Sequence, residues 1–219
     1  MITLNSIVLL IAAYLLGSMP FSVWVGQLFY KIDVREYGSG NAGATNTMRV
    51  LGKRAGIAVL VLDVMKGVAA VNLLRITDEY IPGTQLFVNM QLVLGIAALF
   101  GHIFPVYAGF RGGKGISTLL GVVIALDGDA AFYSCAVFLL VLITTRYVSL
   151  SSIIASIFLP IYVIFIEDVT FLSLIGFSLF ITIIVVLTHQ KNIERLLRRE
   201  ETKIFASKSQ LDEDDEIDD

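Results

Sequence analysis

Three groups of residues in this 219-residue chain have types and spacings that could do chemistry. The first is Gly38-Ser39-Gly40-Asn41-Ala42-Gly43-Ala44-Thr45-Asn46, followed by Arg49 and Gly52. Small residues let backbone N–H groups approach a ligand closely, and Ser39, Asn41, Thr45 and Asn46 add neutral donors. A glycine-rich turn entering a helix, with Arg49 three residues past Asn46, suits a phosphate. It is not a Walker loop, because no Gly-Lys-Ser/Thr closes it. The second group is Gly101-His102-Ile103-Phe104-Pro105, then Phe110-Arg111-Gly112-Gly113-Lys114-Gly115. Pro105 ends or kinks a helix, and the glycines make a tight turn that presents the Lys114 ammonium where a helix begins, a place that favours an anion. A membrane-surface anchor would explain Arg111 and Lys114 but not the three glycines around them. His102 by itself suits an interhelical hydrogen bond as well as a functional role.

The third group is split. Arg146-Tyr147-Val148-Ser149-Leu150-Ser151-Ser152 offers hydroxyl or N-cap donors, while His189, Asn192 and Glu201 follow the last apolar run. His189 and Asn192, three apart, share a helix face. Residues Lys191 to Lys203 also read as a basic amphipathic helix lying in the membrane interface, each face serving one purpose. The sum is a site with Arg49 and Lys114 as anion ligands and Ser39, Asn41 and Asn46 as neutral donors. No G-x-S-x-G nucleophile, His-Glu zinc helix or carboxylate pair for a metal accompanies it. Cys135, the only cysteine, sits in an apolar run and reads as a small buried hydrophobe. Positioning and charge stabilisation of two bound substrates, a group transfer, is the chemistry that remains. The residues alone support binding of a phosphorylated small molecule at the cytoplasmic face of a membrane.

The elements that must hold these residues are membrane helices. The chain is 56% hydrophobic and 16% charged, with a mean hydropathy of +0.81, whereas soluble domains average about 25% charged. Soluble, disordered, collagenous and nucleic-acid-binding classes are excluded. The expected fold is all-α, a polytopic helical bundle with spans at 4–29, 55–74, 86–107, 115–126, 130–145, 150–166 and 169–188. The fourth is too short to cross comfortably and suits a re-entrant helix packed inside the protein. One side of this arrangement receives Lys31, Arg35, Arg49, Lys53, Arg54, Arg111, Lys114, Arg146 and the bases from Lys191 to Lys208. The other receives Arg75 with Asp78, Glu79, Asp127, Asp129, Glu167 and Asp168. The positive-inside rule therefore puts the N-terminus outside and the C-terminus in the cytoplasm. Asp63 and Lys66, the acid and base within the second span, are read as a structural ion pair. The net charge of −3 belongs to the end of the chain, where Leu211 to Asp219 carry seven carboxylates. Residues 1–205 are expected to form one domain, and 206–219 a solvated acidic tail.

Taken jointly, these motifs resemble the bacterial acyl-phosphate:glycerol-3-phosphate acyltransferase family. The residues that carry the resemblance are Gly38-Ser39-Gly40-Asn41, Gly43-Ala44-Thr45-Asn46, Arg49, Gly52, Asp63, Lys66-Gly67, Gly101-His102, Phe104-Pro105, Gly112-Gly113-Lys114-Gly115, His189, Asn192-Ile193 and Glu201. It runs from about residue 15 to residue 203, with two departures: Arg111 stands where lysine is usual, and Arg199 where glycine is usual.

The resemblance implies a seven-helix enzyme of the cell membrane, facing the cytoplasm, that needs no cofactor or metal. It would transfer a fatty acyl group from acyl phosphate to the 1-hydroxyl of glycerol 3-phosphate, giving lysophosphatidic acid and phosphate. Functional coupling to the enzyme that makes the acyl phosphate, and contact with membrane lipid, follow from the same resemblance. By its implication Ser39, Gly40, Asn41, Thr45, Asn46, Arg49, Gly112, Gly113, Lys114 and Ser152 bind phosphate groups. His189 and Asn192 orient the acceptor or the acyl carbonyl, and Asp63, Lys66 and Glu201 are structural. The base is either His189 or a substrate phosphate, whose second pKa is near 6. The rival from another class is a transporter of a phosphorylated solute, since broken helices also aim their N-termini at anions there. It would call for inverted repeats and polar residues along most spans.

Overall fold

The computed structural model describes residues 3–167 and 171–204, so Asp168 and the acidic run at 206–219 lie outside the described residues. The described residues are all-α, with ten α-helices. The first, α1 (Leu4–Gly17), starts on a capping box in which Thr3 and Ser6 satisfy each other's backbone N–H. It stops at Ser18-Met19-Pro20, because a proline supplies no N–H to continue the ladder. The chain resumes as α2 (Phe21–Val25) and a π-helical turn, Gly26–Tyr30, bent by 41° from α1. A surface stretch then carries the short α3 (Ala44–Leu51).

Two long helices follow, α4 (Lys53–Asn72) and α5 (Gln85–Ile103), and then the 11-residue α6 (Ile116–Leu126). The remainder are α7 (Gly128–Thr145), α8 (Val148–Phe165), α9 (Leu172–Thr188) and α10 (Gln190–Arg198). Side-chain caps set two of these starts: Thr84 accepts from the N–H of Phe87, and Asp127 from those of Asp129 and Ala130.

Each of the seven apolar segments expected from the sequence holds helix among the described residues, but they are not seven equal spans. Among the described residues four helices are long and apolar enough to cross a membrane, or six if the bent pairs α1–α2 and α9–α10 each count once. At 1.5 Å per residue, α6 is about 16 Å long, roughly half of a hydrocarbon core. It is sunk into the bundle instead, with Thr118 and Val122 fully buried. Glycines make that burial possible. A Cβ on Gly67 of α4 would overlap the Thr118 carbonyl, and one on Gly121 of α6 would overlap the Val64 carbonyl. The two backbones therefore touch, as in membrane bundles held by small residues. Gly17 against Ala98 and Gly101 against Tyr14 join α1 to α5 in the same way.

The apolar core runs through α4, α5, α6, α8 and α9, with Leu99, Val122 and Ile181 at its centre. The outer faces are apolar too: Ile143 of α7, Phe165 of α8 and Leu172 of α9 are each more than three-quarters exposed. A water-facing surface would not be built this way.

Charges sort to two ends. Asp127 and Glu167 meet where α7 begins and α8 ends. At the far end of that helix pair, Arg146 accepts the N–H of Ile204 through its carbonyl.

Candidate active site

The first glycine loop is organised by Asn46. Its Nδ2 donates to the carbonyls of Val34 (2.8 Å) and Tyr37 (3.1 Å), and its Oδ1 accepts the N–H (2.9 Å) and hydroxyl (3.1 Å) of Ser39. Asn46, expected as a neutral donor for phosphate, is engaged within the loop itself. Both of its amide hydrogens are committed to backbone carbonyls, and the side chain is buried. Asn46 shapes the loop, while Ser39, Gly40 and Thr45 are exposed on it and Asn41 is half-buried. Gly38 and Gly40 have φ of +60° and +69°, values that glycine adopts without strain.

The second loop is clamped onto the C-terminal end of α5. Gly112 and Gly113 donate their N–H groups to the carbonyls of Ile103 and His102, both at 3.2 Å, satisfying acceptors that a helix end leaves open. A Cβ at Gly113 would overlap both His102 Nε2 and the carbonyl of Ala42. The two glycine loops are therefore in backbone contact at Ala42 and Gly113. Arg35, which the sequence reading left without a role, ties them further. It is held by Asp33 (2.7 Å) and donates to the carbonyls of Ala108 (2.8 Å) and Arg111 (3.2 Å).

Lys114 leaves this turn as a half-buried ammonium whose Nζ donates to Asn192 Oδ1. Asn192 Nδ2 donates to Glu201 Oε1 at 2.6 Å. The same carboxylate accepts the Ser149 hydroxyl (2.6 Å) and Arg195 Nε (2.8 Å). Arg49, exposed on the last turn of α3, lies within electrostatic reach of Lys114, Glu201 and Arg195. Four separate stretches of chain thus deliver three cations, one carboxylate, one amide and one hydroxyl to a single corner.

The charges here are perturbed. Burial, with Arg195 and Arg49 adding to it and Glu201 opposing, lowers the Lys114 ammonium to about 8. Burial works to raise the Glu201 carboxyl, but the bonds from Ser149, Arg195 and Asn192 outweigh it and hold the group below its ordinary value.

His189 is buried in the break between α9 and α10, which are bent by 60°. Its Nδ1 lies 2.8 Å from the Val185 carbonyl, an acceptor only, so Nδ1 carries the proton and Nε2 of the neutral ring has a free lone pair. Next to it, Thr188 Oγ1 is 3.5 Å from the Lys114 carbonyl.

Ser152, expected at a phosphate, donates to the Val148 carbonyl within its own helix (2.9 Å), and it is Ser149, one turn earlier, that reaches Glu201. Ser149 belongs to the hydroxyl group seen in the sequence, whereas Arg195 is a member of this corner that the motifs do not name. Arg195, three residues past Asn192 and six before Glu201, was there to be read as a helix-face neighbour. Asp63 and Lys66 stand apart from the corner, deep in the bundle, 2.9 Å from each other. An open cleft of about 390 Å³ beside Asp33 and Tyr37 includes neither the charged residues of the corner nor the Asp63–Lys66 pair.

The chain is similar to known proteins over most of its length. Residues 7–199 match the family model described as glycerol-3-phosphate acyltransferase. The chain is 43% identical to a glycerol-3-phosphate acyltransferase 2 of Bacillus anthracis over 199 residues, 91% of this chain and 99% of that protein. It is 40% identical to a glycerol-3-phosphate acyltransferase of Enterococcus faecalis over 205 residues, covering 90% and 91%. Among solved structures, the glycerol 3-phosphate form of PlsY (YgiH), an integral membrane glycerol 3-phosphate acyltransferase, superposes with a TM-score of 0.81 at 35% identity, covering 91% of this chain and 95% of that one. The lysophosphatidic acid form gives 0.78 at 34%. With its apolar helices and its basic corner, the chain belongs to the glycerol-3-phosphate acyltransferase family of integral membrane proteins.

Proposed function

We propose that this protein transfers a fatty acyl group from acyl phosphate to the 1-hydroxyl of glycerol 3-phosphate, in the cell membrane, at a site facing the cytoplasm. The products are lysophosphatidic acid and inorganic phosphate. The observation that carries the reading is the convergence of Lys114, Arg49 and Arg195 around one carboxylate, Glu201, which leaves a net positive corner for phosphate groups. The two forms of PlsY were solved with the acceptor and with lysophosphatidic acid, which supports the same substrate and product here. The clustering of bases at one end of the bundle supports the cytoplasmic orientation, with seven membrane-embedded helices, the N-terminus outside and residues 1–205 as one domain.

An acyl phosphate is already activated, so the protein's task is alignment and charge stabilisation. The acceptor hydroxyl attacks the acyl carbonyl carbon, and a new ester C–O bond forms. The bond from that carbon to the phosphate oxygen breaks, and phosphate departs with the electron pair. Lys114 and Arg49 neutralise the phosphate groups. Asn192, its amide fixed by Glu201, and His189 orient the acceptor. The hydroxyl proton passes to a phosphate oxygen of the bound substrates, which is dianionic above about pH 6. That assignment leaves His189 Nε2 as an acceptor that positions the hydroxyl. Functional coupling to the enzyme that supplies the acyl phosphate, and entry of the acyl chain from the bilayer, complete the proposal.

The test is to incubate the purified protein with acyl phosphate and glycerol 3-phosphate. Lysophosphatidic acid and phosphate are expected in equal amounts, with turnover abolished in Lys114→Ala. Movement of glycerol 3-phosphate across vesicles without ester formation would overturn the reading. So would a His189→Gln variant that binds both substrates normally but has no turnover, paired with an Arg49→Ala variant that loses neither affinity nor turnover.

A further inference from the structure

Beneath the Gly112–Lys114 turn lies a polar network that the site does not use directly. His102 Nδ1 is 2.9 Å from the hydroxyl of Thr118 and 3.7 Å from Asp63 Oδ1. The same Asp63 oxygen is 2.9 Å from Lys66 Nζ, which also donates to the Met19 carbonyl at 2.8 Å. Four segments therefore meet at one point: the break between α1 and α2, the middle of α4, the end of α5, and the start of the short α6. All four side chains are buried. A set of buried polar groups in a membrane bundle is costly unless fully paired, so its arrangement is sharply defined.

The other face of His102 carries the turn. Its carbonyl accepts the Gly113 N–H, and its Nε2 lies where a Gly113 Cβ would be. A cavity of about 10 Å³ is lined by members of both sets, Asp63, Lys66 and His102 of the network and Ala42, Gly112 and Gly113 of the loops. The position of the His102 ring thus fixes the position of the Gly113 backbone, and with it the root of Lys114.

We infer that Thr118, His102, Asp63 and Lys66 are positioning residues for phosphate binding, setting the place of the Lys114 turn through the His102 ring. The inference rests on the reading of Lys114 as a phosphate ligand. None of the four needs to touch substrate. Thr118 is the most telling member, because its hydroxyl holds the ring while the rest of the side chain is packing.

Thr118→Val keeps the volume and removes the hydrogen bond, whereas Thr118→Ser keeps the bond and leaves a methyl-sized gap. The KM for glycerol 3-phosphate and kcat are measured for both, with Asp63→Asn alongside and the apparent Tm of each protein in detergent. Thr118→Val is expected to raise KM on the order of tenfold, a misplacement effect, with kcat changed much less. Thr118→Ser is expected to stay near the wild-type KM, and Asp63→Asn to follow Thr118→Val. An unchanged KM in Thr118→Val, or a Thr118→Ser variant as impaired as Thr118→Val, overturns the inference in favour of a packing role. Calorimetric affinity for glycerol 3-phosphate separates this from the acyl-transfer reading. A wild type that binds without forming ester overturns that reading, while the affinity order of the variants still decides the positioning role.

Discussion

The side-chain amide of Asn192 donates to the Glu201 carboxylate at 2.6 Å, and this bond dictates which end of the amide Lys114 meets. An amide can present either oxygen or nitrogen. A carboxylate accepts only, so Asn192 must turn its nitrogen to Glu201 and its oxygen to the ammonium. Glu201 is thereby both a charge in the site and the device that orients its neighbour. A Glu201→Gln variant removes that constraint and leaves Arg195 without its counter-ion. It is expected to lose at least tenfold in kcat/KM and about 1–3 kcal/mol of stability. The pH dependence has a definite sign. Because the folded Glu201 carboxyl is held below its ordinary value, its contribution is complete above about pH 4.3 and is lost as pH falls through the folded value. Melting curves across acid pH check this: the variant should show a shallower acid loss than the wild type, and parallel curves would refute it.

Lys114 gives the opposite limb. Its ammonium is lowered to about 8, first by burial and then by Arg195 and Arg49. Above that pH the free protein loses the charge, so the KM for a phosphorylated substrate should climb by up to tenfold per pH unit. Stability should move the other way. An unfolded lysine titrates near 10.4, so between pH 8 and that value the unfolded chain binds more protons and this group favours folding as pH rises. Lys114→Arg, which stays charged, should abolish the alkaline limb of kcat/KM. An alkaline limb unchanged in that variant would assign it to another group.

Asn46 separates loop construction from ligand binding. Its four hydrogen bonds hold Val34, Tyr37 and Ser39 together. Asn46→Ala strands those partners and is expected to cost about 2–4 kcal/mol. Asn46→Asp should cost at least as much, because it sets a carboxylate against two carbonyls. Thermal unfolding in detergent is the measurement. A normal Tm accompanied by weakened phosphate binding would return Asn46 to the role of ligand.

How much of this was legible in the sequence depends on the range of the interactions. The helices were, because apolar length and proline breaks are local: the expected and observed boundaries of the segment ending at Leu126 agree to a residue. Lys114, Arg49 and Asn192 were legible as chemistry because glycine or helical spacing frames each one. Asn46 and Ser152 looked like donors too, but whether a side chain faces a ligand or its own backbone is set by packing that spacing does not encode. The role of Ser149 was hidden for the same reason, since its partner lies 52 residues away. The short α6 was visible as too short to span, but its burial depends on Gly67 and Gly121 meeting across two helices.

Arg199 sits in the left-handed region, φ +64°, at the end of α10, exposed to solvent. Glycine is favoured at such a helix end, and a residue with a Cβ is strained there. It is also the position where the resemblance leads one to expect glycine. Arg199→Gly relieves the strain but gains unfolded-state freedom, so the net stabilisation should be modest, about 0.5–1 kcal/mol. The helix end leads straight to Glu201, so turnover should be retained. A lowered Tm would show that Arg199 makes a compensating contact.

The acidic end, away from the chemistry, has a pH dependence of its own. Glu167, beyond the end of α8, is raised to about 7 by partial burial and by the nearby Asp127 and Asp129. Its folded value lies above its unfolded one, so the folded chain holds the proton more tightly and stability from this group falls as pH rises from about 4.3 towards 7. At pH 8 the ionised Glu167 faces like charge, partly screened by solvent because the group is only half-buried. Glu167→Gln removes the repulsion and keeps a hydrogen-bond donor for Asp127. The difference in Tm between variant and wild type should therefore grow from pH 5 to pH 8, in favour of the variant, by a degree or two in low salt. It should shrink when salt screens the cluster. A difference that stays flat with pH would mean that the three carboxylates do not interact. Turnover should be the same in both proteins, because the cluster lies at the opposite end of α7 and α8 from Arg146 and the basic corner.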